Sequence, residues 1–293
     1  MQITRRAFLI STAALASSCA LWHANEDAAL SELKALHTQL GGRLGVHALD
    51  LHSGRRFGLD ADGRYAMAST FKLLLAAAVL HRIDRGALEP DQHVPFTAKD
   101  LVPHAPVTET HLARGWMTVS ELCAAIILVS DNAAANLLLG LIGGPAEITR
   151  FARLQGDQVT RLDRNEPELN QNLPNDPRDT TSPRAMVNTL DRLLIGDALM
   201  PPSRAQLLTW LNDSQTGLER IRAGLPATWK VGDKTGTGAN GAVNDLAIVT
   251  PPDRAPLLIA IYMSDSKREV DTLSGAHAKV AHIIASAWGL LGS

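Results

Sequence analysis

The amino-acid sequence predicts an α/β (α+β) fold in which an antiparallel sheet is assembled from both ends of the chain, flanked by an N-terminal and a C-terminal helix, with an all-helical lobe inserted between them. Three observations carry this prediction. Strand-like runs that alternate or stay apolar, broken by turn residues, lie near the two ends, at 43–59 and 241–263. Each end also supplies an amphipathic helix, and the middle, from about Ser69 to Leu211, is dominated by helical patterns.

The first residues do not belong to the fold. "MQITRRAFLISTAALASSCA" has a basic pair, Arg5 and Arg6, an apolar segment from Ala7 to Ala16 and then small residues, the layout of an export signal over about 1–24. The apolar segment is too short to span a bilayer stably. "TRRAFL" resembles a twin-arginine signal, and a periplasmic location is expected. Cleavage after Ala20 yields a soluble protein, whereas cleavage before Cys19, with "ASSCA" as a loose lipoprotein box, leaves a lipidated cysteine. Cys123 is the other of the two cysteines, so a chain cut after Ala20 forms no intramolecular disulfide.

The remaining 25–293 divides into a sheet lobe, about 25–62 with 212–293, and a helical lobe, about 63–211. Leu30, Leu33, His37 and Leu40 recur at helical spacing until Gly41 and Gly42 stop the helix. "RLGVHALDLHSGRRFGL" then turns at His52 to Gly54 as a hairpin. "ASTFKLLLAAAVL" is a helix buried on all sides, beginning near Ser69. "TVSE", Thr118 to Glu121, is a capping box ahead of the apolar "LCAAIILV". Arg161 to Asp179 is too rich in Pro, Asn and Asp for regular structure, and a long irregular loop inside a compact domain usually has a function. "VGDKTGTGA" precedes two strands around a Pro-Pro-Asp turn, and a last helix places Val280, Ile283, Ile284, Ala287 and Leu291 on one face. A cleft between the lobes is the expected place for a site.

Composition excludes several classes of function. With 45% hydrophobic and 20% charged residues and a net charge of −2, the chain has neither a nucleic-acid surface nor a disordered tail. Its ten histidines form no H-E-x-x-H or similar cluster, so a zinc site is not expected. No integral membrane span is predicted, and a monomer is the expected state.

One lysine stands out. Lys72 follows Ser69 by three residues inside an apolar run, so its amine points at the Ser69 hydroxyl, and an amine that loses its proton there makes the serine nucleophilic. The pattern alone is weak, because Ser31 with Lys34 and Ser264 with Lys267 repeat it in polar surroundings. Three further stretches add to it. "VSDNAA" puts Ser130, Asp131 and Asn132 between two apolar helices, where a simple helix cap is the alternative. "RNEPELN" puts Glu166 and Asn170 in the irregular loop. "DKTGTG" puts Lys234, Thr235, Gly236 and Thr237 where glycines allow close backbone approach to a ligand, or where a glycine-rich strand edge lies.

In this order and spacing, "STFK", "SDN", "EPELN" and "DKTGTG", each present once, resemble the class A active-site serine β-lactamases from about residue 25 to the C-terminus. The resemblance implies a β-lactamase/D,D-peptidase-like fold with a five-stranded sheet, hydrolysis of penicillins and cephalosporins, and no cofactor. It further implies Ser69 as the acylated nucleophile, with the backbone amides of Ser69 and Thr237 as oxyanion hole. Lys72 or Glu166 would take the serine proton, and Ser130, beside Lys234, would pass one to the lactam nitrogen. Asn132 would hold the acyl-amide side chain, and Glu166 and Asn170 the deacylating water. Thr235, Thr237 and Arg220, with Gly236 beside them, would receive the substrate carboxylate, although "LERIRAG" also offers Arg222. Arg164 and Asp179 match an ion pair that ties the loop down, and Glu166–Pro167 matches a cis bond. His104 stands where the family usually has an aromatic at the cleft mouth, and makes that wall more polar. Ala68 and Gly238 replace the cysteines that flank the site in many carbapenem-hydrolysing members. A penicillin-binding D,D-peptidase shares the serine-x-x-lysine, SDN and KTG elements but has no need of Glu166 and Asn170. A β-lactam sensor would normally carry an anchor and a partner domain.

Overall fold

The computed structural model describes residues 25–291, so the segment holding Arg5, Arg6 and Cys19 lies outside the described residues. Helix α1 covers 25–40 and ends at Gly41 and Gly42, both with positive φ (67° and 68°), a conformation that glycine adopts without strain. Strands β1 (Arg43–Asp50) and β2 (Arg56–Leu59) form the expected hairpin. Asp50 organises its turn, accepting from the His52 amide at 3.0 Å and the Ser53 hydroxyl at 2.6 Å.

The rest of the sheet comes from the far end of the chain: β7 (Lys230–Thr237), β8 (Val243–Thr250) and β9 (Leu257–Ser264). The order is β2-β1-β9-β8-β7, with every neighbour antiparallel. The "DKTGTG" stretch therefore follows the strand-edge alternative: Asp233 to Thr237 belong to the edge strand β7 itself and do not merely lead into a strand pair. Its two glycines and two charges hide the apolar run that marks β9.

Both faces of the sheet are covered, which explains why β9 is buried at every position. Leu257, Ile259, Ile261 and Met263 point to the layer of α1 and α8 (Val270–Ala287), packing with Leu33, Leu36, Val280 and Ile284. Leu258, Ala260 and Tyr262 point the other way, into the core shared with the middle of the chain. The strand period of two thus divides one strand between two cores. Helix α8 stops at Ala287, one turn short of Leu291, where Gly289 takes φ 65°.

The middle is helical: α2 (Phe71–Asp84), α3 (Val119–Leu128), α4 (Asn132–Ile142), α5 (Ala146–Leu154), α6 (Pro183–Leu194) and α7 (Pro201–Asn212). It also contains two short ladders, β3 (Tyr65–Ala66) with β6 (Thr180–Thr181) and β4 (His93–Pro95) with β5 (Trp116–Thr118), the second held by His93 stacked on Trp116 at 3.5 Å. Helix α2 has ten buried residues in succession, Phe71 to Leu80, as expected of a central helix. The Thr118 capping box forms, the Glu121 amide donating to the Thr118 hydroxyl at 3.1 Å and the Thr118 amide to the Glu121 carboxylate at 2.7 Å.

Candidate active site

Ser69 lies in a single 3-10 turn (Ala68–Thr70) that precedes α2, rather than in the α-helix itself. Ala68 before it has φ 44°, a left-handed conformation that costs an alanine energy and is characteristic of constrained functional turns. Strand β7 runs close beside this turn. A Cβ on Gly236 would stand 2.7 Å from the Met67 carbonyl oxygen and 3.1 Å from the Ser69 amide nitrogen, so only glycine fits there.

Lys72, in the first turn of α2, has no solvent exposure. Its Nζ is 3.0 Å from Ser69 Oγ, 2.7 Å from the Ser130 carbonyl oxygen, 2.5 Å from Asn132 Oδ1 and 3.1 Å from Glu166 Oε1. An ammonium has three protons, so it cannot satisfy all these acceptors at once. Burial lowers the pKa of Lys72, and the charge and hydrogen bond of Glu166 oppose that effect. Lys234 is also fully buried, with Nζ 3.0 Å from Ser130 Oγ; burial first, and then the charge of Lys72, lower its pKa well below the usual lysine value. Ser130 Oγ thus lies between two lysines, 3.3 Å from the other.

The cap alternative for "SDN" is correct for its central residue. Asp131 is the N-cap of α4, accepting from the Ala134 amide at 2.9 Å, and it also binds the amides of Val107 and Thr108. This pins the two segments that flank the cleft and leaves Ser130 and Asn132 facing it. Asn132 donates Nδ2 to the Pro103 carbonyl at 2.8 Å.

Glu166 reaches the same centre from the irregular segment, where the only described regular turn is the 3-10 turn Glu168–Asn170. Its Oε1 is 3.5 Å from Ser69 Oγ, and its Oε2 accepts from Asn170 Nδ2 at 2.5 Å. The Glu166–Pro167 bond is cis. Arg164 Nε donates to Asp179 Oδ2 at 2.6 Å, and the other Asp179 oxygen accepts the Asp163 and Arg164 amides at 2.7 and 3.0 Å.

Sequence reasoning missed Asn136. It sits one helical turn after Asn132 in α4 and grips the backbone of Glu166 at both ends, Oδ1 accepting its amide and Nδ2 donating to its carbonyl, each at 2.9 Å. An asparagine inside the apolar run "AAANLLL" was the available signal.

Arg220 is among the residues that line the cleft, and Arg222 is not. Arg220 donates to Thr237 Oγ1 at 2.8 Å and to the carbonyls of Asn244 and Gly236 at 2.7 and 3.1 Å, whereas Arg222 pairs at 2.6 Å with the buried Asp233. The cleft has a volume of about 470 Å³, and Ser69, Ser130, Asn132, Asn170, Thr235, Gly236 and Thr237 line it with Arg220. His104 is at its exposed mouth, with φ 64° and a ring nitrogen 2.9 Å from the Val129 carbonyl oxygen. Cys123 is fully buried in α3, and burial pushes its thiol pKa up. The arrangement can do acyl transfer: a hydroxyl nucleophile, two basic groups in contact with it, and a second hydroxyl held between two amines.

Comparison with known proteins agrees with this chemistry. The family model described as "Beta-lactamase enzyme family" matches residues 28–288. The chain is 44% identical to β-lactamase OXY-2 of Klebsiella oxytoca, covering 92% of each protein. It is 43% identical to β-lactamase Toho-1 of Escherichia coli, over 96% of this chain and 98% of the relative. Among solved structures, it is similar to the class A β-lactamase of the last common ancestor of Gram-negative bacteria (GNCA4), with a TM-score of 0.88, 54% identity and coverage of 89% of this chain and 99% of the other. The ancestral GNCA class A β-lactamase gives a TM-score of 0.86 at 52% identity, over 88% and 98% of the two chains.

Proposed function

The chain belongs to the class A β-lactamases, serine hydrolases of the β-lactam amide bond, and on that premise we propose which of its residues carry each step. The observation that supports the assignment most is the contact of Ser69 Oγ with both Lys72 Nζ (3.0 Å) and Glu166 Oε1 (3.5 Å). Ser69 Oγ attacks the lactam carbonyl carbon and loses its proton to Lys72, or to Glu166 through a water. The backbone amides of Ser69 and Thr237 receive the developing oxyanion. The C–N bond then breaks, and Ser130 gives its proton to the leaving nitrogen and regains one from Lys72, replacing the proton that Ser69 released, while Lys234 favours the transfer from beside Ser130 Oγ. This leaves an ester on Ser69.

Deacylation repeats the chemistry with water as nucleophile. Glu166 takes the proton of a water that attacks the ester, and the Ser69 oxygen departs and is reprotonated. Asn170 supports this role: its Nδ2 holds Glu166, while its buried Oδ1 has no protein partner and can accept from the same water. Asn132 and His104 face the acyl-amide side chain, and Arg220, Thr235 and Thr237 face the carboxylate, with Gly236 allowing close approach. A D,D-peptidase or a sensor would acylate and stop. Stopped-flow acylation followed by steady-state turnover of benzylpenicillin separates the readings: a fast burst that continues into sustained turnover supports hydrolysis, and a stoichiometric burst that halts contradicts it.

We further propose that 25–293 acts as one unit, a monomer, after export to the periplasm. The basis is the N-terminal signal layout, and among the described residues no helix is long and apolar enough to cross a membrane. Replacing Arg5 and Arg6 with lysine is expected to strand active, unprocessed enzyme in the cytoplasm; normal periplasmic activity would assign the signal to the general secretory route, and a lipid adduct on Cys19 would show anchoring.

A further inference from the structure

The wall that carries Arg220 brings a second polar side chain to the cleft. After α7 the chain is anchored by the Gln215 amide, which donates to the Leu128 carbonyl at 2.9 Å, and Thr216 then lines the cleft, half-buried, next to Thr235. The following residue is held flat against the interior: a Cβ on Gly217 would overlap the buried Asp233 carboxyl group. Thr216 is therefore a fixed feature of the wall. Thr235 donates its hydroxyl proton to Thr216 Oγ1 at 2.7 Å, and on the inner side Ser214 Oγ lies 3.5 Å from the same atom.

A hydroxyl has one proton and two lone pairs. In the arrangement seen, the Thr235 proton points at Thr216, and Thr235 offers the cleft only a lone pair. A carboxylate arriving beside Thr235 needs a proton instead. When Thr235 turns its proton outward, two oxygens face each other at 2.7 Å with no proton between them unless Thr216 turns its own proton toward Thr235. Doing so costs Thr216 only the 3.5 Å contact with Ser214, which is at the outer limit of a hydrogen bond. The strong link is kept and the weak one is given up, and the two hydroxyls then polarise one another toward the anion.

We propose that Thr216 is a positioning residue for the substrate carboxylate, converting the Thr235 hydroxyl from acceptor to donor as the anion binds. The proposal rests on the assignment of Arg220, Thr235 and Thr237 to the carboxylate.

The test compares Thr216→Val, Thr216→Ser and Arg220→Ala on benzylpenicillin and on its methyl ester, which lacks the anion. A neutral hydrogen bond corresponds to about 2- to 10-fold. Thr216→Val is expected to raise KM for benzylpenicillin by about that factor with kcat nearly unchanged, to leave kcat/KM for the ester as in the parent, and to be rescued by Thr216→Ser. An equal loss on acid and ester, or no loss on the acid, overturns the role of Thr216. If Arg220→Ala discriminates acid from ester and Thr216→Val does not, Thr216 alone is refuted. If neither does, the carboxylate assignment falls and the proposal with it.

Discussion

Lys72 Nζ and Glu166 Oε1 face each other at 3.1 Å, both on side chains with no solvent exposure, and the Ser69 hydroxyl lies within 3.5 Å of each. In such a place the Glu166 charge opposes the lowering of the Lys72 pKa by burial, so removing Glu166 changes the chemistry of Lys72 as well as the geometry.

Lys72→Ala is expected to slow acylation of Ser69 by about 10²- to 10⁴-fold, the usual contribution of a positioned base. Stopped-flow mixing with benzylpenicillin measures it directly. Acylation within tenfold of the parent would transfer the proton-accepting role to Glu166.

The Arg164–Asp179 pair tests whether the loop's fixation matters to one step more than the other. Asp179→Asn keeps an acceptor for the Asp163 and Arg164 amides and removes the charge from a 2.6 Å contact, a loss of about 1.5–3 kcal/mol for a hydrogen bond between charged groups. Deacylation, which depends on Glu166, is expected to slow more than acylation, and protease nicking within 161–179 to increase. Equal effects on both steps would mean that the loop serves stability alone.

Much of this was legible in the sequence, and the parts that were not share a cause. The hairpin at His52 to Gly54, the Thr118 capping box and the stop of α1 at Gly41 are local, set by residues within a few positions of one another. Four motifs converge on the candidate site, at Ser69, Ser130, Glu166 and Lys234. By contrast, the sequence left β7 open between a glycine-rich strand edge and a ligand-approach segment, because Gly232 and Gly236 carry no side chain to mark a face, and the need for Gly236 arises only from its closeness to Met67 and Ser69, far away in the chain. Asn136 and Thr216 act through partners 30 and 19 residues away, which no local pattern records.

His47 supplies a pH prediction separate from catalysis. Burial, and then the charges of Arg184 and Arg56, lower its pKa from 6.5 to about 4. Between those values the unfolded chain binds a proton that the folded one does not, so stability from this residue is full above about pH 6.5 and is lost as pH falls toward 4. The difference in Tm between the parent and His47→Gln is expected to move in the variant's favour across that window. A constant difference would show that His47 is not neutral in the native protein.

If Glu166 serves mainly to deacylate Ser69, intact-protein mass spectrometry of Glu166→Ala after mixing with benzylpenicillin will show it. General-base assistance of about 10²- to 10⁴-fold should be lost from turnover while acylation persists, so the protein should gain one substrate mass that peptide mapping places on Ser69. Turnover at the parental rate with no adduct, or an adduct on another residue, would contradict the account.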